Sequence, residues 1–284
     1  MKYTVCSYVA LGHEIAETAA IVRTAGYTGI EWRVHPSGHL RPDRLAEDLA
    51  TARRADETEG LRPICLTSYL PLLDPRQAER DVLTAAELGA PRVRLLWPPY
   101  DGQTPADVVF STARRAMDAL APVLERAGVA VVLETHRGSI VPTASAAKRL
   151  VEPYPPTLYA VLYDPPNTVS SGLEDPRYAL EILGPHLAHV QFKNVGWVRA
   201  EGVWRWTWMA LDEGMIDWPV FLGHLKARGF ADWLSNENFL LLPLDQRPGR
   251  GEILETLPSY RADLDLPLVD RLRADLEYMI GAGG

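Results

Sequence analysis

Basic charge, long hydrophobic runs, cysteine and glycine-rich phosphate loops are all scarce or missing in this sequence, and each absence removes a class of function. Its 29 Lys and Arg are outweighed by 37 Asp and Glu, a formal net charge of −8. Proteins that grip a phosphate backbone usually carry a basic face or stripe instead. The short pairs Arg53-Arg54 and Arg114-Arg115 read as solvated helix faces, so no nucleic-acid partner is expected. No run approaches the roughly 20 apolar residues that span a bilayer, so no membrane partner is expected either. The only cysteines, Cys6 and Cys65, lie inside apolar runs and read as buried thiols of a reducing compartment rather than a disulfide framework. No P-loop or dinucleotide-type glycine motif follows any strand candidate, which argues against a nicotinamide enzyme. The opening MKYTVCSYV lacks the segments of a signal peptide, and the resulting expectation is a cytoplasmic protein.

What is present is a regular alternation. At 284 residues and 47% hydrophobic, the chain can bury a large core as one domain over 1–284. Short runs rich in Val, Ile, Leu and aromatics read as strands: YTVCSYV from Tyr3, GIEWR from Gly29, RPICLTS from Arg62, RVRLL from Arg92, VAVVLE from Val129, LYAVLYD from Leu158, LAHVQF from Leu187 and ADWLSNE from Ala231. Helical periods fill about 12–25, 41–59, 75–88, 105–127, 143–152, 175–184, 217–228 and 267–280. Asp74-Pro75, Thr104-Pro105 and Asp175-Pro176 suit helix starts, and Gly26, Gly60, Gly89, Gly128 and Gly229 suit helix ends. Eight strands alternating with eight helices predict a closed (β/α)8 TIM barrel of the α/β class.

The connections are unequal. Those after helices are short, whereas those after strands 2, 4, 5, 7 and 8 are longer and carry His, Trp, Arg and Asn, which makes the post-strand face the functional one. The longest, from Val195 to about Ile216, holds Trp197, Trp204, Trp206 and Trp208. It reads as a lid, an aromatic wall against a sugar ring, a subunit contact or a loop core.

Four acceptor side chains stand at strand ends: Glu134, Asp164, Gln191 and Glu237. Their successive spacings of 30, 27 and 46 residues place them around one rim, because one strand-plus-helix unit takes about 30 residues. Three carboxylates and an amide oxygen form a donor set for a hard divalent cation, Mn²⁺ or Mg²⁺ rather than Zn²⁺. Residues two apart on a strand point the same way, so His136 shares the side of Glu134, and Lys193 and His189 share that of Gln191. His136 reads as a base near neutral pH or as a loop cap. Lys193 reads as an oxyanion binder or as the salt-bridge partner of a rim carboxylate, and His189, one layer deeper, as a buried hydrogen-bonded histidine. Arg33 and His35 alternate beyond Glu31 as candidate binders of a ligand carboxylate or hydroxyl. Asn167, in Asp164-Pro-Pro-Asn, either donates to the ligand or completes a turn. Trp97, after the fourth strand, completes the substrate-binding candidates.

From GYTGIEWR in the second strand to SNENF in the eighth, the chain resembles the xylose-isomerase-like TIM-barrel superfamily of sugar isomerases, ketose 3-epimerases, inosose isomerases and dehydratases, and dehydroshikimate dehydratases. The resemblance implies a divalent metal, Mn²⁺ first with Mg²⁺ or Co²⁺ as alternatives, held by Glu134, Asp164, Gln191 and Glu237, with Glu134 and Glu237 also moving protons. It implies further that Glu31 orients substrate or a histidine behind the metal ligands. One position departs from the common pattern: Gln191-Phe192-Lys193-Asn194 stands where a ligand His two residues before Lys-Asp is usual, and Gln there is similar to some dehydratase and lyase members. Endonuclease IV shares the architecture but has a His-rich trinuclear zinc site, a set that seven histidines here do not match. The activity implied is a metal-dependent isomerase or epimerase of a small polyhydroxylated carbonyl substrate. The alternatives are a lyase, either a dehydroshikimate- or inosose-type dehydratase or an enzyme cleaving 3-keto- or C-glycosides, and a sugar-binding barrel without turnover. Because relatives are often dimers or tetramers, a homo-oligomer or a partner subunit is a further implication.

Overall fold

The computed structural model describes residues 1–172, 174–200, 202–243 and 266–284. Eight parallel strands close on themselves: β1 (Lys2–Cys6), β2 (Gly29–Val34), β3 (Arg62–Pro71), β4 (Arg92–Leu96), β5 (Ala130–Glu134), β6 (Tyr159–Tyr163), β7 (Leu187–Phe192) and, after a hairpin, β10 (Trp233–Asn236). Each pairs with its neighbours in chain order, and β10 pairs with both β7 and β1, which leaves no free edge. Helices α1 (Ile15–Thr24), α2 (Leu45–Glu59), α3 (Pro75–Leu88), α4 (Ala106–Ala127), α5 (Ala144–Val151), α7 (Pro176–Leu183), α8 (Trp218–Ala227) and α9 (Leu268–Ala282) match the eight helical periods of the sequence. None of the described helices is long and apolar enough to cross a membrane.

The barrel interior is layered by the two-residue alternation of its strands. The end at which the strands begin is plugged by apolar side chains, with Val132, Ala160, Leu162 and Trp233 in one buried cluster. Gly29 is required there: a Cβ at that position would stand 2.9 Å from the Trp233 ring and 3.0 Å from the Thr4 hydroxyl. Above the plug lies a buried polar layer with Glu31, Cys65 and His189, and Gln191 stands one step above His189 on β7. Two residues further along the same strands, the charged rim begins.

Three strand regions depart from the sequence reading. Strand β1 stops at Cys6 and a 3-10 turn runs over Ser7–Ala10, where a strand to Val9 was expected. Strand β3 continues past Ser68 to Pro71, which adds Tyr69 to it. The segment after β7 is an antiparallel hairpin, β8 (Asn194–Ala200) with β9 (Val203–Met209), rather than a loop. Its alternating WRWTWM pattern has the period of a strand, and Gly202 sits at the turn with φ of 81°. Asn194 fastens the hairpin base: its Nδ2 donates to the carbonyls of Leu211 and Ile216 at 2.7 and 3.0 Å, and its Oδ1 accepts from Ile216 N at 3.0 Å. A Cβ on Gly214 would fall on that amide, so the loop closes only with glycine there.

Candidate active site at the barrel rim

A helix absent from the sequence reading organises the rim. Asp164 ends β6 and caps α6 (Pro165–Ser171), its Oδ1 accepting from Asn167 N at 2.9 Å, with Pro165 at the first helical position. What reads as a turn in Asp-Pro-Pro-Asn is therefore a helix start. It swings the Asn167 amide back over the barrel, where Nδ2 donates to Asp164 Oδ2 at 2.8 Å and to Glu134 Oε1 at 3.0 Å.

Oxygen atoms of Glu134, Asp164 and Glu237 lie within 4.8 Å of one another, and all three residues are buried. Each is held by a cation. Arg94 Nε donates to Glu134 Oε2 at 2.7 Å, a contact its Nη2 reinforces. Lys193 Nζ, 1% exposed, donates at 2.5 Å to both Asp164 Oδ2 and Glu237 Oε2. Burial disfavours charge on every member, and the pairings decide the outcome. Burial opposes the charge on Lys193, but Asp164 and Glu237 raise its pKa well above the ordinary amine value. Burial would raise Glu134 too, yet Arg94, with His136 and Lys193, holds it below the usual carboxylate range. In Glu237 burial prevails over Lys193, with Glu134 adding to the rise, so its pKa lies above that range.

His136 and Arg33 face the same cavity, of about 130 Å³, together with Tyr8, Tyr69, Arg94, Arg137, Asn167, Lys193, Trp208 and Phe239. His136 Nδ1 lies 2.7 Å from the Arg137 carbonyl oxygen. That oxygen can only accept, so Nδ1 is the donor, and in the neutral ring Nε2 is the nitrogen that keeps the lone pair. Trp208 joins the wall by packing edge-on against Phe239 at 4.7 Å, and Arg137 stacks over Trp206 at 3.9 Å. Trp197 and Trp204 stay exposed, at 39% and 67%. A larger cavity of about 530 Å³, lined by Tyr163, Val169, Ile216 and Phe221 among others, includes none of the rim carboxylates in its wall.

The remaining candidates lie elsewhere. Gln191 is buried below the rim with neither amide atom hydrogen-bonded. Glu31 lies in the same deep layer; its Oε2 accepts from Thr67 Oγ1 at 3.2 Å, and its Oε1 is 3.6 Å from His189 Nε2. His189 is buried as expected, but its ring nitrogens make no hydrogen bond, because the nearest acceptor sits just beyond reach. His35 bonds Ser37 and packs edge-on against Tyr69 instead of lining the cavity, because the chain turns away after β2. Trp97 is buried in the hydrophobic core. Sequence reasoning passed over Arg94, Tyr69, Tyr8 and Arg137. The signal for Arg94 was a charge in the middle of the apolar run RVRLL, a position that demands a buried partner.

The donor set fits a hard divalent cation: three clustered carboxylates with an orphaned amide oxygen beneath them. An ion between Asp164 and Glu237 would require the Lys193 ammonium to move aside.

The family described as xylose isomerase-like TIM barrel matches residues 19–257. Among solved structures, D-psicose 3-epimerase from Clostridium cellulolyticum H10, determined with D-tagatose, superposes with a TM-score of 0.74 at 16% identity, over 100% of this chain and 99% of that one. The probable 3-DHS dehydratase AsbF of Bacillus anthracis superposes with a TM-score of 0.70 at 16% identity, over 99% of each chain. The IOLI protein, solved with a zinc atom, gives 0.74 at 17% identity, over 100% of this chain and 98% of that one. No curated protein sequence matches this chain.

Proposed function

The chain belongs to the xylose isomerase-like TIM barrel family, and from that premise we propose that it is an isomerase or epimerase of a small polyhydroxylated carbonyl compound, acting by proton transfer at the carbon beside the carbonyl. The observation that carries the reading is the buried constellation of Glu134, Asp164 and Glu237 with Lys193 between two of them. A divalent cation held by Glu134, Asp164, Gln191 and Glu237, Mn²⁺ before Mg²⁺ or Co²⁺, would supply Lewis-acid polarisation of the carbonyl.

The chain's own residues divide the remaining work. Glu237, whose side chain is held by Lys193, is the freer of the two glutamates to accept a proton. Glu134 is fastened by Arg94 and Asn167 and acts chiefly as a fixed negative charge. The Lys193 ammonium stabilises the negative charge that builds on the substrate oxygen. His136, with its free Nε2, moves the second proton that a change of configuration or carbonyl position requires.

A lyase is the second reading. Gln191 in place of histidine and the basic Nε2 of His136 suit expulsion of a β-leaving group, with His136 returning a proton to it. The test is proton NMR in D₂O with Mn²⁺-loaded, then Mg²⁺-exchanged, protein on ketoses, inososes and 3-keto glycosides. Solvent deuterium in an isomeric product is the expected result, whereas loss of water or of an aglycone moves the protein to the lyases. Exchange with none of these, together with no metal bound, leaves a sugar-binding barrel.

A further inference from the structure

We propose that the substrate carries a carboxylate and that Arg33 is the residue that binds it; this rests on the reading of the rim as the substrate site. Arg33 ends the inward row of β2 and is 5% exposed, yet its Nε and Nη1 have no hydrogen-bond partner. Leaving buried donors of a charged group unsatisfied is costly, so such a group is expected to meet a ligand. The other cations lining the cavity are differently placed: Arg94 is committed to Glu134, Lys193 to Asp164 and Glu237, and the partly exposed Arg137 stacks over Trp206.

The surroundings specify the shape of that ligand. Tyr8 and Tyr69 lie 4.2 and 4.5 Å from the Arg33 guanidinium carbon, stacked as cation-π partners. With aromatic rings packed against the guanidinium, its in-plane N–H edges are the side left to a ligand, and a flat carboxylate can accept from two N–H groups at once where a hydroxyl accepts from one. Charge points the same way. Arg33, Arg94, Arg137 and Lys193 surround three carboxylates, Glu134, Asp164 and Glu237, so the side chains carry one surplus positive charge in a protein whose formal net charge is −8. One carboxylate balances that surplus, and a bound divalent cation would enlarge it.

The test uses matched pairs of acid and neutral amide: D-glucuronate with D-glucuronamide, and cyclohexanecarboxylate with cyclohexanecarboxamide, titrated by calorimetry into the Mn²⁺-loaded protein. At least one acid is expected to bind tenfold or more tightly than its amide. Arg33→Gln should bring that pair to parity by weakening the acid more than the amide, and Arg33→Lys should restore part of the preference. Circular dichroism and Tm establish that each variant is folded. Equal affinities in the wild type, absence of acid binding, or a preference that survives Arg33→Gln would each overturn the proposal. Deuterium exchange into a neutral ketose alongside equal affinities would remove the carboxylate subsite and keep the isomerase. An acid preference lost in Arg33→Gln, without exchange on any substrate, would keep the subsite and remove the isomerase.

Discussion

The rim and the layer beneath it are built by the same strands, two residues apart, and they treat buried charge differently. On β7 the order upward is His189, Gln191, Lys193; on β2 it is Glu31, then Arg33; on β10 it is Ser235, then Glu237. At the rim, the three carboxylates meet guanidinium, ammonium and amide donors at 2.5 to 3.0 Å. In the layer beneath, Glu31 has one hydroxyl at 3.2 Å and an imidazole just out of reach, while Gln191 has no partner. One step of strand pleat, about 6.6 Å, separates carboxylates that each meet a cation from a sparsely bonded polar layer. The rim has the features of a reacting site, with dense opposed charges and shifted pKa values in a cavity. The layer below supports it and closes it off from the apolar plug.

The contrast can be broken most severely at Glu134. Glu134→Gln removes a donor for the cation and leaves the buried Arg94 without its counter-charge. Solvent-proton exchange should fall by about a thousandfold, the scale of losing one preorganised charge at the reacting centre, and deuterium incorporation measures it. Retained exchange would place the chemistry elsewhere. Lys193→Met comes next. With no cation added, Asp164 and Glu237 lose their shared partner, at a cost of about 3 to 5 kcal/mol for a broken buried pair. Mn²⁺ should return most of this in denaturant unfolding run with and without chelator; no recovery would mean that the carboxylates do not take a divalent ion.

His136→Asn touches function more than structure. Mn²⁺ affinity should stay within about twofold while exchange drops about a hundredfold, and unchanged exchange would exclude the residue as a base. The smallest effect belongs to the lower layer. Burial pushes Glu31 up, but His189 and nearby hydroxyls hold its pKa below the ordinary value. A carboxylate lowered on folding contributes stability above its unfolded pKa of about 4.3 and loses it as pH falls through the folded value. Glu31→Gln should therefore cost about 1 to 3 kcal/mol near pH 7, and the gap to wild type should narrow on acidification. A gap independent of pH would show that shape, not charge, is what Glu31 supplies.

Much of the architecture is legible in local pattern. Short β-branched runs, helical periods and Asp-Pro starts locate all eight barrel strands and the helices between them, because period and capping are properties of neighbouring residues. The Trp-rich segment misled because its length suggested a loop while its period of two already described a hairpin. The α6 turn was hidden for a related reason: Pro-Pro after a strand marks a turn as readily as a first helical turn.

The sequence by itself determined which side chains share the inward face of each strand, since alternation on a strand is a covalent regularity. That regularity aligned Glu134 with His136, Lys193 with Gln191, and Arg33 with Glu31. Only the tertiary structure decided which rows meet. Barrel closure brought Arg94 of β4 to Glu134 of β5, set Lys193 between the ends of β6 and β10, and stacked Tyr8 and Tyr69 on Arg33. Those partners are fixed by strand stagger and loop path across the whole ring, a long-range geometry that no window of neighbouring residues contains.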